Sequence, residues 1–310
     1  MAKTPKRSDR EKIIVAAQNR NGAEMKRILL QARDRIELKI VEAAKKGNIA
    51  SAAYLRDTLY KSLREEYQNL QGNMDEWATK SVTDVAKEWT RLAVEDLPNA
   101  SYSEMWASFS AKHLQERIAQ FAPTSIMDKV AVNSGQLDPI LGGMLKQDIQ
   151  SLRKIVIETS RMQAATGMTA REWRKEVQDQ LFQRRGAWTF IDKAGREWES
   201  KNYFNMLNKT LAANTARETY MTQMVDSGND LATVEGGFQA NTDDVCAKWN
   251  GQIVSISGTS REYPALADAV EEGLFHPNCI HYLAVFNKGE EAEAAARDKA
   301  QREFADRQAA

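Results

Sequence analysis

The sequence predicts a mainly α protein: an elongated helical amino-terminal domain followed by a small α+β carboxy-terminal domain. Three observations carry that expectation. Apolar residues recur at intervals of three and four through the first 180 positions, the mark of amphipathic helices. Prolines are few, four of the six lying in the first 160 positions, so long helices are open to that region. Beyond Arg184 the pattern changes to short alternating runs separated by Gly, Asn and Asp, which read as strands and turns. The expected boundaries are 1–183 for a helical scaffold domain, 184–286 for the α+β domain and 287–310 for a charged helical or disordered tail.

In the helical part, Ile36, Ile40, Val41 and Ala44 share a face, and Gly47-Asn48 reads as a helix end. Leu55, Leu59, Leu63, Tyr67 and Leu70 form the next stripe, punctuated by Gly72-Asn73. Val82, Val85, Ala86, Trp89 and Ala93 form another, closed by Leu97-Pro98. Ser101 or Ser103 is placed to cap a helix carrying Trp106, Phe109, Leu114, Ile118 and Phe121. Leu141, Leu145, Ile149, Leu152 and Val156 continue the helical spacing, and Thr169 with Glu172 fits a capping box. These stripes read as helix-bundle core, and His113 among them as a packed histidine.

The segment "WTFIDKAGREW" predicts a hairpin, with Gly195 supplying a positive φ. A helix is expected from Ser200 to Ser227 with Tyr203, Leu207, Thr210, Asn214 and Met221 near one face, ended by Gly228. "DLATVEGG" and "QIVSISG" read as strands with the polar turn "NTDDVCAKWNG" between them. "YPALADAVEEG" is a short helix with Pro264 near its start, and "CIHYLAVF" is a strand.

The chain is formally neutral overall, yet residues 1–60 carry 14 Lys/Arg against 7 Asp/Glu. Such an excess suits a basic arm facing a polyanion or an acidic surface, and equally a solvated helical face. The first twelve residues hold no apolar run of a signal peptide, and no stretch has the length of uninterrupted apolar residues that a membrane span needs. Two cysteines make no disulfide framework and fit a reducing site of folding.

The scarce reactive side chains are concentrated in one place. The chain has three histidines and two cysteines, and "GLFHPNCIH" holds His276, Cys279 and His281. Cys279 and His281, one residue apart on an expected strand, would point the same way, and Cys246 could fold back to meet them. Two sulfurs and two imidazoles are the ligand set of a tetrahedral zinc. The residues leave open two other readings, a metal-free packed turn and a Cys/His nucleophile pair. There is no phosphate-binding loop, dinucleotide fingerprint, HExxH or GxSxG. Asp243-Asp244 and Glu271-Glu272 read as surface or helix-terminus charges, and "RRGAW" at 184–188 is a lone cluster of Arg with Trp.

Taken in order, "WTFIDKAGREW", "NYFNMLNKTLAANTARETYMTQM", "DDVCAKWNGQIVSISG", "YPALADAV" and "GLFHPNCIHYL" resemble the minor capsid (head morphogenesis) proteins of tailed bacteriophages, the Mu F-like family. The resemblance covers roughly Ala187 to Phe286. Its motif positions are Asp243, Cys246, Trp249, Gly251, His276, Pro277, Asn278, Cys279 and His281. Two positions depart from the family: Ile280 stands where Arg is frequent, and Trp249 where some members have a second Cys. The resemblance implies a non-enzymatic structural protein of the virion, in the head interior or at the portal vertex, acting in head assembly and in DNA packaging or ejection, and present in the host cytoplasm during assembly. Its implied partners are the portal protein, the major capsid or scaffold protein and packaged DNA, with no membrane. No cofactor is implied, zinc at Cys246, His276, Cys279 and His281 being the one candidate. The turn is expected to order the small domain, Pro277 fixing its approach and Asn278 bonding to the backbone. The rival expectations are a nuclease, peptidase or transferase using the Cys/His cluster, and an internal head protein binding DNA through the basic arm.

Overall fold

The computed structural model describes residues 7–45, 54–97, 100–121, 139–183, 189–191, 197–236, 245–276 and 279–286. Several expectations lie outside them: the helix end at Gly47-Asn48, Pro98, the hairpin turn with Gly195, the "RRGAW" cluster, Asp243-Asp244, Pro277, Asn278 and the tail from Asn287.

The described elements are mostly helical. They comprise α1 (Arg7–Lys45), a π-helical turn (Tyr54–Leu59) running into α2 (Tyr60–Asp96), α3 (Tyr102–Lys112), α4 (Leu114–Phe121), α5 (Pro139–Thr166) and α6 (Ala170–Gln183). After these come β1 (Thr189–Ile191), β2 (Glu197–Glu199), α7 (Ser200–Asp226), β3 (Leu231–Glu235), α8 (Val245–Trp249), β4 (Ile253–Ser255), α9 (Leu266–Glu271) and β5 (Tyr282–Val285). The mainly α architecture with a small α+β carboxy-terminal part is therefore observed. The chain forms two compact units, neither continuous in sequence: one takes Met1–Gly22, Thr79–Phe121 and Met206–Ala310, the other Ala23–Ala78 and Ala122–Asn205.

The second unit is helical apart from the antiparallel pair β1–β2, in which Phe190 lies opposite Trp198. Leu63, Tyr67, Leu70, Met74 and Trp77 alternate spacings of four and three along α2 and are all buried, the pattern of a helix with one core face. That unbroken stripe explains why Gly72-Asn73 does not end the helix. Burial on both sides outweighs the ~1 kcal/mol that a mid-helix glycine costs. Polar contacts also cross between helices. Tyr67 donates to Asp148 of α5 at 2.7 Å, while Arg35 and Lys39 of α1 hold Glu66 at 2.8 and 3.0 Å. The expected capping box is present at the start of α6: Glu172 accepts from the Thr169 N–H at 2.8 Å, and the Glu172 N–H donates to Thr169 Oγ1 at 3.3 Å.

The first unit carries the three-stranded antiparallel sheet, in the order β4-β3-β5. Its core gathers Ile14, Trp89, Tyr220, Ala232, Val234, Cys246, Val254, Leu274, Cys279 and Tyr282. At its centre Trp89 meets Tyr220 edge-on at 5.7 Å and Tyr282 at 5.9 Å. A buried polar network lies beside them. Arg10 pairs with Asp96, Tyr220 donates to the same carboxylate, and the Val285 N–H donates to the Tyr220 hydroxyl at 3.2 Å. Burial opposes the Arg10 charge, but Tyr220 and Asp96 more than compensate and hold it protonated. Burial likewise drives the Tyr220 hydroxyl upward, so it stays neutral.

Four local expectations are revised. The helix from Ser101 breaks at His113 (φ −120°) into α3 and α4, and Ser101, although extended at the cap position, makes no capping bond with its side chain. The buried face of α7 runs through Phe204, Asn208, Leu211, Thr215, Thr219 and Gln223 rather than through Tyr203, Thr210, Asn214 and Met221. Small and amide side chains fill that face, so apolar spacing alone does not locate it. The expected polar turn contains the helix α8, and Cys279 and His281 precede β5 rather than lying on it. Gly228, by contrast, ends α7 as expected. At φ 77° it closes a Schellman motif, with its own N–H on the Val225 carbonyl and the Asn229 N–H on that of Met224, both at 2.9 Å.

Candidate functional site

The site is assembled from α8, the chain leading into β5, and α7. Cys246 sits in the five-residue helix α8, and Gly251 at φ 82° turns the chain from that helix into β4. The turn is pinned by the Gly251 N–H on the Val234 carbonyl at 2.7 Å and the Val234 N–H on the Gln252 carbonyl at 2.9 Å. Trp249, the motif aromatic, donates its indole N–H to Glu272 at 3.1 Å, and Lys248 pairs with the same carboxylate. Glu272 follows α9 directly, so α8 is tied to the chain that precedes His276.

After α9 the chain reverses at Gly273 (φ 105°), where the Leu274 N–H reaches the Ala269 carbonyl at 2.9 Å. Phe275 then adopts φ 65°, the left-handed region in which a bulky residue is strained. The Cys279 N–H returns to the His276 carbonyl at 2.9 Å. These constraints bring the predicted side chains together. Cys246 Sγ lies 3.4 Å from Cys279 Sγ, and Cys279 Sγ lies 3.5 Å from His281 Nδ1. Cys246, His276 and Cys279 place a sulfur or ring nitrogen each within 4.8 Å of one another, and His281 joins them through Cys279. Cys246 is 0 %, Cys279 3 % and His281 3 % exposed, whereas His276 is half-buried.

Three residues that sequence reasoning did not single out frame this cluster. Arg217 of α7 is buried, donates to the His281 carbonyl at 3.0 Å and the Cys279 carbonyl at 3.4 Å, and bonds to Asn214. Its guanidinium carbon stands 4.4 Å from the centre of the Phe275 ring. Burial lowers the Arg217 pKa to about 10, with the charges of Cys279, Glu218 and Cys246 acting the other way. Gly236, just after β3, lies beneath His281, where a Cβ would stand 2.7 Å from the ring and 2.9 Å from the His281 Cα. The third is Phe275 itself. The signals available were an arginine in the small, polar run "LAANTARETY" and the glycine pair ending "TVEGG".

The Cys279 thiol is drawn well below the ordinary thiol range. The hydrogen bond with Cys246 is the main cause; burial opposes it, while His281 and the Arg217 charge add to it. The arrangement brings two sulfurs and the His276 imidazole within 4.8 Å of one another, with His281 Nδ1 beside Cys279. His113 lies elsewhere, its ring 5.8 Å from that of Phe109 and its Nε2 3.8 Å from Asp226, as a packed histidine would.

A family model described as phage minor capsid protein 2 matches residues 137–309, more than half of the chain. The chain belongs to the phage minor capsid protein 2 family. The match begins some fifty residues before the resembling stretch and takes in α5, α6, the whole of the sheet and all four Cys and His positions of the cluster. No curated protein and no solved structure matches. A phage minor capsid protein is a structural component of the virion, and the Cys/His cluster lies within the matched residues. No helix among the described residues of this minor capsid protein is long and apolar enough to cross a membrane.

Proposed function

We propose that this minor capsid protein is a non-enzymatic component of a tailed-phage head, seated at the portal vertex and acting in head assembly, with contact to the portal protein. The observation that carries the structural reading is the closure of the Cys/His cluster. A catalytic thiolate needs a cleft in which a substrate can reach it. Cys246 and Cys279, at 0 % and 3 % exposed, offer none. Burial of this kind suits a cross-link that holds a fold together.

The basic amino-terminal segment supports a protein partner over the packaged genome. Residues 7–45 are a helix, not an extended arm, and Arg10, Arg20, Arg33, Arg35 and Lys39 each pair with a carboxylate of this chain. Cations already paired release few counterions on meeting a phosphate backbone. Co-purification of the tagged full chain with the portal protein, washed at low and then moderate ionic strength, tests the proposal. Retention through both washes is expected. Failure to retain the portal protein at low salt, or steep salt-dependent binding of duplex DNA in its place, would overturn it.

A further inference from the structure

We infer that Cys246, His276, Cys279 and His281 form a structural zinc site, with Arg217 as the residue that positions the backbone of Cys279 and His281. The spacing of the donor atoms is the first argument. Around a tetrahedral zinc, ligand atoms lie roughly 3.3–3.8 Å from one another, two sulfurs at the long end, because each bond is about 2.0–2.3 Å. The Cys279 sulfur is 3.5 Å from His281 Nδ1, and the two sulfurs, 3.4 Å apart, part by a few tenths of an ångström to admit the metal. His276 stands in the same 4.8 Å group as both sulfurs. The four donors come from two separate parts of the chain, α8 and the approach to β5, as in sites where a metal joins segments that pack poorly alone.

The placement of His281 is the second argument. His281 is 3 % exposed, and its Nδ1 is the ring nitrogen that faces the Cys279 sulfur. The ring is held against the cluster because Gly236 leaves no Cβ to displace it. Arg217 supplies the third argument. Its guanidinium grips the carbonyls of the two ligand residues Cys279 and His281, which fixes the backbone from which both side chains project. Two thiolates neutralise a divalent zinc, and the ligand set is soft enough to prefer zinc over calcium or magnesium. With no water position required, the site is of the closed, structural kind. The inference does not depend on where in the head the protein sits.

The test uses the full chain, expressed with zinc in the medium and purified under reducing conditions without chelator. Metal is measured by mass spectrometry, and the apoprotein is then reloaded with cobalt as a spectroscopic probe. About one zinc per chain is expected, with the visible bands of tetrahedral cobalt and a thiolate charge-transfer band on reloading. Cys246→Ser should abolish the charge-transfer intensity of that sulfur, and His281→Ala should leave a site of weaker affinity with altered cobalt bands. Arg217→Lys, which keeps the charge but not the fork, should retain metal while loosening it. Helical circular dichroism separates loss of metal from loss of fold, and if Cys246→Ser unfolds, the wild-type cobalt spectrum alone decides. A wild-type protein that holds no zinc and gives no tetrahedral cobalt spectrum overturns the inference. So does an intact mass showing Cys246 and Cys279 joined as a disulfide in the reduced preparation, or zinc content unchanged in a Cys246→Ser/Cys279→Ser variant.

Discussion

Replacing Asp96 by alanine strands Arg10 in the core. The Arg10 and Asp96 side chains are 4 % and 6 % exposed, so the guanidinium cannot turn to water once its carboxylate is gone. Breaking one partner of a buried ion pair costs about 3–5 kcal/mol. The Tyr220 hydroxyl also loses its acceptor, although it still receives the Val285 N–H at 3.2 Å, so that loss adds about 1 kcal/mol. Removing both charges together is a different perturbation. Arg10→Met with Asp96→Leu exchanges the pair for apolar groups of similar volume, and such exchanges are frequently neutral. Urea unfolding followed by tryptophan fluorescence measures both, because Trp89 packs 5.7 Å from Tyr220 and reports the same core. The expected order is wild type close to the double variant, with Asp96→Ala several kcal/mol below. The reasoning fails if Asp96→Ala unfolds within about 0.5 kcal/mol of wild type. It also fails if the double variant is no more stable than the single one, since the cost would then not come from the stranded charge.

Two further predictions rest on smaller features. Glu66 is desolvated, yet the bonds from Arg35 and Lys39 outweigh that and hold its pKa below 4.5, the ordinary value. Its stabilising contribution is therefore complete above that value and is lost as pH falls through the lowered pKa. Glu66→Gln should remove about 1 kcal/mol at neutral pH and flatten the acid limb of a stability–pH curve measured by circular dichroism; an unchanged curve would show that the pair contributes nothing. Gly236→Ala and Gly72→Ala should shift thermal stability in opposite directions. The first places a Cβ 2.9 Å from the His281 backbone and should cost about 1–3 kcal/mol. The second adds a Cβ in open space within a helix and should stabilise by about 0.4–1 kcal/mol, so equal shifts would contradict the account.

The features that were legible in the sequence are those set by local chemistry. The α2 stripe, the Thr169–Glu172 box and the Gly228 terminus each depend on residues a few positions apart, and all three are formed. The gathering of Cys246 with Cys279 could be anticipated because so few reactive side chains exist to be paired. What was not legible depends on tertiary packing. Gly72 reads as a stop because propensity is local, whereas the burial of Leu70 and Met74 is not. The buried face of α7 is written in Thr, Asn and Gln, residues whose burial follows from partners on distant elements. One such case is Asn208, which donates to the Gln18 carbonyl at 2.7 Å. Arg217 belongs to the same class: its role lies in two carbonyls more than sixty residues away.

The central claim is that the chain is built into phage heads as a structural part. Quantitative mass spectrometry of purified procapsids and mature virions, compared with the infected-cell lysate, tests it directly. The account predicts the chain in both particles at low copy number relative to the major capsid protein, and resistant to removal by moderate salt. A chain abundant in the lysate and absent from both particles would contradict it.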